Sequence, residues 1–439
     1  MLSDNREAQS KIRSKTWVVL AALAITGQIA WAVENTWFNS FVYETITPDP
    51  RPVSWMVAAS AIVATLTTIF MGTLSDRTRS KWGKRKPYIL IGYVFWGLMT
   101  AVFPLTSFFK NVSLAVVMVV LVDCLMTFFG STANDAAFNA WTADVAPSEN
   151  RGRVEGVLNL SLFIAQLISL VAAGIFIENL GYFTFFYLLG GIVMVVGFLA
   201  GGAIDEASNL DEPAPKTSYW ADIRGLFDVK TVTENKALFL LLLSVMLLGV
   251  GFQVGFPYML IYVNHTIGVS KSEFAIVGGA VIVGSALLAI PLGVLADKVN
   301  KKLMLAVSIV LTSLGCFLFS LAKSVPMLAV GALIWQASNM SAAIASASWL
   351  KELLPEESRG RFLGMRMIFW VMLPMLIGPG IGSFLIRNFG IPGMIEGKEG
   401  FLAVPLIFQI GALIGLLGLL PLPFLKGNSK KGLEVESHD

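Results

Sequence analysis

Residues 17–43 form an apolar stretch long enough to cross a lipid bilayer. The chain repeats that pattern eleven more times, near 53–75, 87–107, 112–142, 154–177, 182–204, 237–263, 272–297, 302–322, 325–351, 361–387 and 400–425. About 20 apolar residues at helical rise span the hydrocarbon core, so the pattern predicts a dozen membrane helices joined by short loops. Composition points the same way. Only 14% of the 439 residues are charged, against about 25% in soluble proteins, too few to supply the polar skin that a soluble chain of this size needs. With 32 Lys+Arg balanced by 29 Asp+Glu and the charges confined to loops, there is no basic stripe for nucleic acid. Cys124 and Cys316 lie far apart inside apolar runs, which excludes a disulfide framework.

Orientation follows from the basic residues, which collect on the cytoplasmic side of membrane proteins. If the N-terminus is inside, 25 of the 32 Lys and Arg fall in cytoplasmic segments. Six (Arg51, Lys110, Lys271, Lys323, Arg387 and Lys398) fall outside, and Arg366 lies within the eleventh run. Both termini are therefore expected in the cytoplasm. The polar segment 1–16 has no small-residue cleavage site after the first run, so that run is expected to stay as an anchor. The longest polar stretch, 205–236, separates six helices (1–204) from six (237–425), with a cytoplasmic tail at 426–439. Within it Tyr219, Trp220, Ile223, Leu226 and Phe227 have the spacing of a short amphipathic helix on the inner membrane surface.

The two halves are related by sequence. At a constant offset of 208, Trp141, Pro147, Glu149, Arg151, Gly152, Arg153 and Gly156 recur as Trp349, Pro355, Glu357, Arg359, Gly360, Arg361 and Gly364, and Asp144 recurs as Glu352. A second pair, Gly72 to Asp76-Arg77 with Gly83-Lys84-Arg85-Lys86, is echoed by Gly293 to Asp297-Lys298 with Lys301-Lys302. These loops occupy the same place in each half, which indicates a parallel duplication about an axis along the membrane normal.

The Gly-x-x-x-Asp-Arg loop with its basic tail, the twelve helices and the duplication resemble the major facilitator superfamily. The segments Gly27-Gln-Ile-Ala-Trp31-Ala-Val-Glu34-Asn35 and Ser75-Asp76-Arg77 through Gly83-Lys-Arg-Lys-Pro87 are similar to the sucrose- and maltose-transporter branch of the glycoside–pentoside–hexuronide cation symporters. The resemblance implies an all-α fold of two pseudo-symmetric six-helix bundles, with helices 1, 4, 7 and 10 lining a central cavity.

Two sets of residues follow as candidates. Asp76, Arg77, Asp144, Glu149, Arg151 and Arg153, with Asp297, Glu352, Glu357, Arg359 and Arg361, are placed to clasp the cytoplasmic mouth. Carboxylates there favour helix N-termini and arginine by a few tenths to about 2 kcal/mol, and a clasp between halves biases an inward/outward equilibrium. The second set is polar and buried. At 100° per residue Gln28, Trp31, Glu34, Asn35, Phe38 and Asn39 share one side of helix 1, and Asp123, Thr127, Ser131, Asn134 and Asp135 share one side of helix 4. Gln253 and Tyr258 on helix 7 and Trp335, Gln336 and Asn339 on helix 10 complete the set. Aromatic faces with amides suit a sugar, whose ring offers C–H faces and hydroxyls.

Coupling needs a side chain that changes charge. His265 lies at a helix end and His438 in the tail, so the ionisable groups within the membrane, Glu34, Asp135 and Asp123, are the candidates, with Arg366 the expected partner of a carboxylate. Sodium-coupled relatives pair acids on helices 2 and 4, whereas no acid lies between Trp55 and Ser75 here. Pro374, Gly378, Pro379, Gly380 and Gly382 are expected to interrupt helix 11, and Pro257 to bend helix 7. The sequence carries no metal-ligand cluster, catalytic set or nucleotide loop. The expectation is a monomeric transporter without cofactor in the cell membrane, moving a sugar or glycoside by alternating access with protons. Efflux of an amphiphilic compound is the alternative on the same fold, and a non-transporting sensor or enzyme the alternative in another class.

Overall fold

Each apolar run becomes a helix whose ends are set by local chemistry. The computed structural model of the chain describes residues 12–146, 150–206, 219–221, 235–353 and 365–425. In order these give α1 (Ser14–Ile46), α2 (Pro50–Arg77), α3 (Lys86–Phe108), α4 (Val112–Val145), α5 (151–180), α6 (182–202), α7 (Lys236–Ile267), α8 (Lys271–Lys298), α9 (Lys301–Ser320), α10 (Val325–Leu353), α11 (Met365–Phe389) and α12 (Leu406–Phe424). Asp49 caps α2 by accepting from Arg51 N at 2.9 Å, with Pro50 and Pro52 in the first turn, where a missing N–H costs nothing. Asn111 and Asn300 cap α4 and α9 in the same way. Between α5 and α6 a single residue, Gly181, turns the chain at φ 78°, a conformation that a Cβ disfavours.

The outward faces are apolar at helical spacing, with Val117, Leu121 and Leu125 exposed on α4 and Leu188, Ile192, Val195 and Leu199 on α6. Only hydrocarbon covers so extensive an apolar surface. Inside, backbones meet at small residues, Gly97 of α3 against Gly190 of α6 and Gly251 of α7 against Gly411 of α12, the packing that holds helices together in lipid. An aromatic cluster fills the outer half of the first bundle, where Phe38 stacks on Phe103 at 3.9 Å and meets Phe186 edge-on at 4.9 Å.

Three expectations need correction. The last helix starts at Leu406, not near 400, because Ile391–Ile395 (β1) and Lys398–Leu402 (β2) pair as an antiparallel hairpin in the outer loop. Glu396 and Gly397, at φ 47° and 75°, form its two-residue turn, the mirror-image geometry that matches strand twist. The predicted interruption of helix 11 falls before the proline–glycine segment, in the π turn Ile368–Met372: Leu373–Phe389 is helical with Pro374 in its first turn, and Gly378 and Gly382 bring it against Val250, Gln253, Val254 and Tyr258 of α7. Finally, several helices contain wider π turns, at Glu34–Phe38 and Val42–Ile46 in α1, Ser131–Phe138 in α4, Ile168–Ala172 in α5, Tyr262–Ile267 in α7 and Ile368–Met372 in α11. Pro257 lies in a tight 3₁₀ turn, Phe256–Tyr258. Of the linker helix, residues 219–221 are helical. Tyr219 donates to Phe70 O at 3.2 Å, whereas Ile223, Leu226, Phe227 and the tail lie outside the described residues.

Candidate functional site

A cavity of about 480 Å³ lies between the first six helices and the second six. Gln28, Trp31 and Asn35 reach it from α1, Gln166 from α5, Phe252, Gln253 and Phe256 from α7, and Trp335, Gln336 and Asn339 from α10. Among the described residues no Asp, Glu, Lys, Arg or His lines it. The spacing of Gln28, Trp31 and Asn35 is that of one helix face.

The rest of the predicted set lies elsewhere. Phe38 is locked in the aromatic cluster, and Asn39 is buried with its amide donating to Asn35 O at 3.0 Å. The π turn at Glu34–Phe38 adds a residue to the helical turn and carries both off the face that a regular helix assigns them. Tyr258 is fully buried, with its hydroxyl between Pro50 O at 3.1 Å and Pro379 O at 3.0 Å. Helix α4 does not reach the cavity: its polar groups face α1, α2 and α3 instead.

There they form two clusters, the first buried and the second, around Asp135, partly exposed. Ser60 Oγ on α2 and Thr127 Oγ1 on α4 donate to Glu34 Oε1 at 3.0 and 3.1 Å, the two hydroxyls being 2.7 Å apart. Asp123 approaches the same Ser60 hydroxyl, while Glu34 Oε2 and Asp123 Oδ1 are buried without a hydrogen-bond partner among the described residues. Further along α4, Asp135 accepts from Ser131 at 3.1 Å and from the Asn134 amide at 3.2 Å, and Asn134 Oδ1 accepts from the Tyr93 hydroxyl at 3.0 Å. Arg366 is not the partner expected for these acids. It is exposed on α11, its guanidinium 5.0 Å from the centre of the Trp370 ring.

The outer end of the cavity is closed by contacts between the halves. Glu44 Oε2 of α1 pairs with Lys271 of α8 at 2.8 Å and Glu44 Oε1 with His265 of α7 at 3.1 Å, while Ser40 and Tyr182 donate to the same carboxylate. The hairpin docks onto the α1–α2 corner: Phe401 N donates to Pro48 O at 3.1 Å, Tyr43 donates to Phe401 O at 2.5 Å, and Lys398 donates to Thr45 O. Asp49 holds Arg51 and lies 3.8 Å from Arg387. Burial pushes the Asp49 carboxyl up, but the hydrogen bonds and charge of Arg51 and the charge of Arg387 outweigh it and hold the group below the usual carboxylate range.

On the cytoplasmic side no hydrogen bond or ion pair joins described residues of the two halves. The ion pairs among the described residues there lie within one half or the other. Arg85, nearly buried, pairs with Asp76, lies 3.4 Å from Asp144 and donates to Ser75 Oγ at 2.7 Å. In the second half Lys301 pairs with Glu352. Arg77 lies over the Tyr219 ring at 5.9 Å, and Arg151 and Arg153 are exposed. Glu149, Glu357, Arg359, Arg361 and the side chain of Asp297 lie outside the described residues. Sequence reasoning missed Arg85, Gln166 and Glu44. Arg85 had a signal, its place in the basic tail that follows Asp76. Glu44 had a weaker one, an acid four residues from Ser40 near an outer helix end.

Residues 20–428 match the sequence profile of the MFS/sugar transport protein family. Over 170 residues the chain is 24% identical to the quinolone resistance protein NorA of Staphylococcus aureus, a match covering 38% of this chain and 43% of that protein. Over 202 residues it is 27% identical to myo-inositol transporter 2 of Cryptococcus neoformans var. grubii, covering 42% of this chain and 35% of that one. The chain thus spans less than half the length of these curated relatives. Among solved structures, the nucleoside transporter NupG is similar with a TM-score of 0.72 at 12% identity, over 94% of this chain and 99% of that chain. A bacterial homologue of the human lysosomal transporter Spinster, inward-facing and unoccupied, gives 0.66 at 14% identity, over 94% and 96%. At these identities the likeness shows the fold, the twelve-helix major facilitator architecture. With a profile match that runs from α1 to the end of α12, the chain belongs to the family of MFS/sugar transport proteins.

Proposed function

We propose that the chain moves a sugar or glycoside across the plasma membrane by alternating access, coupled to protons through the carboxyl groups behind the cavity wall. One observation carries the reading: a single helix, α1, presents Trp31 and Asn35 to the cavity and Glu34 to the cluster with Ser60, Thr127 and Asp123. A shift of α1 that follows solute binding reaches Glu34 directly. Two carboxyl groups beside one pair of hydroxyls, with no ion pair to a basic side chain among the described residues, leave a negative charge that is costly in hydrocarbon, and a proton is the smallest cation that relieves it. The closed outer end supports assigning this conformer to the inward-facing side of the cycle, with residues 1–204 and 237–425 as the two rocking units of a monomer. The cytoplasmic residues around Arg85 and Glu352 then serve the inner gate.

The test is uptake into proteoliposomes of labelled mono- and disaccharides with and without a pH gradient. Gradient-driven accumulation is expected, and Glu34→Gln or Asp135→Asn should abolish it while leaving solute exchange. Uptake independent of the gradient and unaffected by both substitutions rejects the coupling assignment, and uptake driven by sodium rejects the proton. The aromatic wall formed by Phe252, Phe256 and Trp335 favours efflux of an amphiphilic compound as the second reading. Resistance conferred on cells, with no sugar bound by the purified protein, selects it.

A further inference from the structure

We propose that the lipid-facing groove between α2 and α4 is a binding site for an anionic glycerophospholipid of the outer leaflet, its phosphate at Arg51 and one acyl chain laid between the two helices. The proposal is independent of the solute and of the coupling ion. The groove encloses about 1050 Å³ and shares no lining residue with the central cavity. Its polar lining residues, Thr47, Asp49, Arg51 and Ser113, all stand at the outer end, and inward of Trp55 the walls are Val, Leu, Phe and Cys124. Charge at the rim with hydrocarbon below it is the layout of a phospholipid.

The groove is long enough for a whole chain. From Ser113 to Phe128 α4 rises about 22 Å, against about 15 Å for the hydrocarbon of one leaflet. Trp55, one turn inward of Arg51, is 53% exposed, at the level where indole rings mark the boundary between headgroups and chains. Val117, Leu121 and Leu125 are exposed on the α4 wall. In a bilayer acyl chains cover this surface whatever the lipid, and a chain gains little by leaving bulk lipid for it, because lipid tails are as apolar as leucine. Selection among lipids therefore falls to the rim.

The rim carries surplus positive charge. Elsewhere on the outer side basic residues are occupied within the protein: Lys271 pairs with Glu44, and Lys398 donates to Thr45 O. At the groove Arg51 and Arg387 share a single acid, Asp49. Arg51 spends Nε and Nη2 on that carboxylate, while its side chain is 45% exposed and its Nη1 forms no hydrogen bond among the described residues. On the other wall Lys110 directly precedes the α4 cap Asn111 and the lining residues Val112 and Ser113. A phosphodiester accepts charge-assisted hydrogen bonds from a guanidinium and offsets the surplus. A choline or ethanolamine cation at the same rim meets Arg51 and Arg387 as like charges. The rim thus favours phosphatidylglycerol, whose headgroup carries no cation, over phosphatidylcholine.

The experiment places the purified full-length protein in detergent micelles with equal amounts of phosphatidylglycerol and phosphatidylcholine and measures retained lipid by native mass spectrometry. Phosphatidylglycerol is expected to be retained about tenfold over phosphatidylcholine. Arg51→Gln should bring the two lipids level, whereas Lys323→Gln, at an exposed outer lysine that does not line the groove, should leave the preference in place. Because Arg51 also holds Asp49, a second variant, Val117→Trp, fills the groove from a lipid-facing position with the rim intact. It should lower phosphatidylglycerol retention without lowering the melting temperature. Phosphatidylglycerol with a photoreactive diazirine midway along one chain is expected to crosslink to peptides covering residues 112–128. Equal retention of the two lipids by the wild-type protein overturns the proposal, as does a preference that survives both Arg51→Gln and Val117→Trp, or crosslinking confined to other helices. A preference lost equally in Lys323→Gln belongs to diffuse surface charge and overturns it as well.

Discussion

Glu44 near the outer end of α1 meets Lys271 at the start of α8 with 2.8 Å between carboxylate and ammonium, and only 4% of the Glu44 side chain is exposed. The pair joins the two halves of the molecule at the face where they close. Lys271→Met leaves the buried carboxylate with His265, Ser40 and Tyr182 as partners, and the expected cost is roughly 2 kcal/mol, below the full value for a stripped buried pair. Glu44→Gln combined with Lys271→Met should recover part of it. Melting temperatures of the two single variants and the double variant in detergent, analysed as a cycle, check this, and strict additivity would reject the coupling.

Acid should loosen the same face through Asp49. Its carboxyl is held below the usual value of about 3.9 by Arg51 and Arg387 despite burial. A group depressed on folding contributes stability that is present above its unfolded pKa and lost as pH falls through its folded pKa. Thermal stability should therefore decline below about pH 4, and Asp49→Asn should flatten that decline while lowering stability at pH 7. A pH series of melting curves for both proteins decides it.

Gly190 and Gly191 are neighbours with opposite tolerances. A Cβ at Gly190 meets the backbone of Gly97 and Ala101 on α3, whereas one at Gly191 meets nothing. Gly190→Val should destabilise by about 3 kcal/mol or fail to accumulate, because two backbones must separate, and Gly191→Val should behave as wild type. Yield and melting temperature of the two variants read this directly.

Gly400 carries the same logic to the hairpin. A Cβ there overlaps Pro48, so Gly400→Ala should undock the hairpin at a cost of about 1–3 kcal/mol. It should also raise labelling of a cysteine introduced at Thr45 by a membrane-impermeant thiol reagent. Unchanged labelling would mean that the hairpin does not hold the outer end closed.

Arg85 is a third kind of contact, one guanidinium shared between Asp76, Asp144 and Ser75. Lysine keeps the charge but not the fork, so Arg85→Lys should lose most transport while expression holds, measured as uptake per unit of protein in the membrane.

Much of this molecule is legible in its sequence, and the boundary of legibility has physical causes. Apolar length finds the helices, because lipid demands internal hydrogen bonding over a fixed thickness. Gln28, Trp31 and Asn35 are placed on the cavity by helical period alone. The same period misplaces Phe38 and Asn39, because it assumes a regular helix and the π turn that begins at Glu34 is not one. Tyr258 reads as a cavity residue until Pro50 and Pro379 are seen to take its hydroxyl, a tertiary fact with no local trace. The hairpin was hidden differently. Ile-Glu-Gly-Lys contains a turn signal at Glu396-Gly397, but the apolar residues from Phe401 onward extend the run of the last helix toward it.

By chain the hairpin belongs to the second half, yet it also hydrogen-bonds to the first, and its turn at Glu396 and Gly397 is exposed. A macromolecule that never enters the membrane can therefore take hold of the transport cycle. An antibody fragment that recognises the docked hairpin would draw the population toward one conformer by mass action, arresting turnover from the aqueous side with the solute cavity untouched.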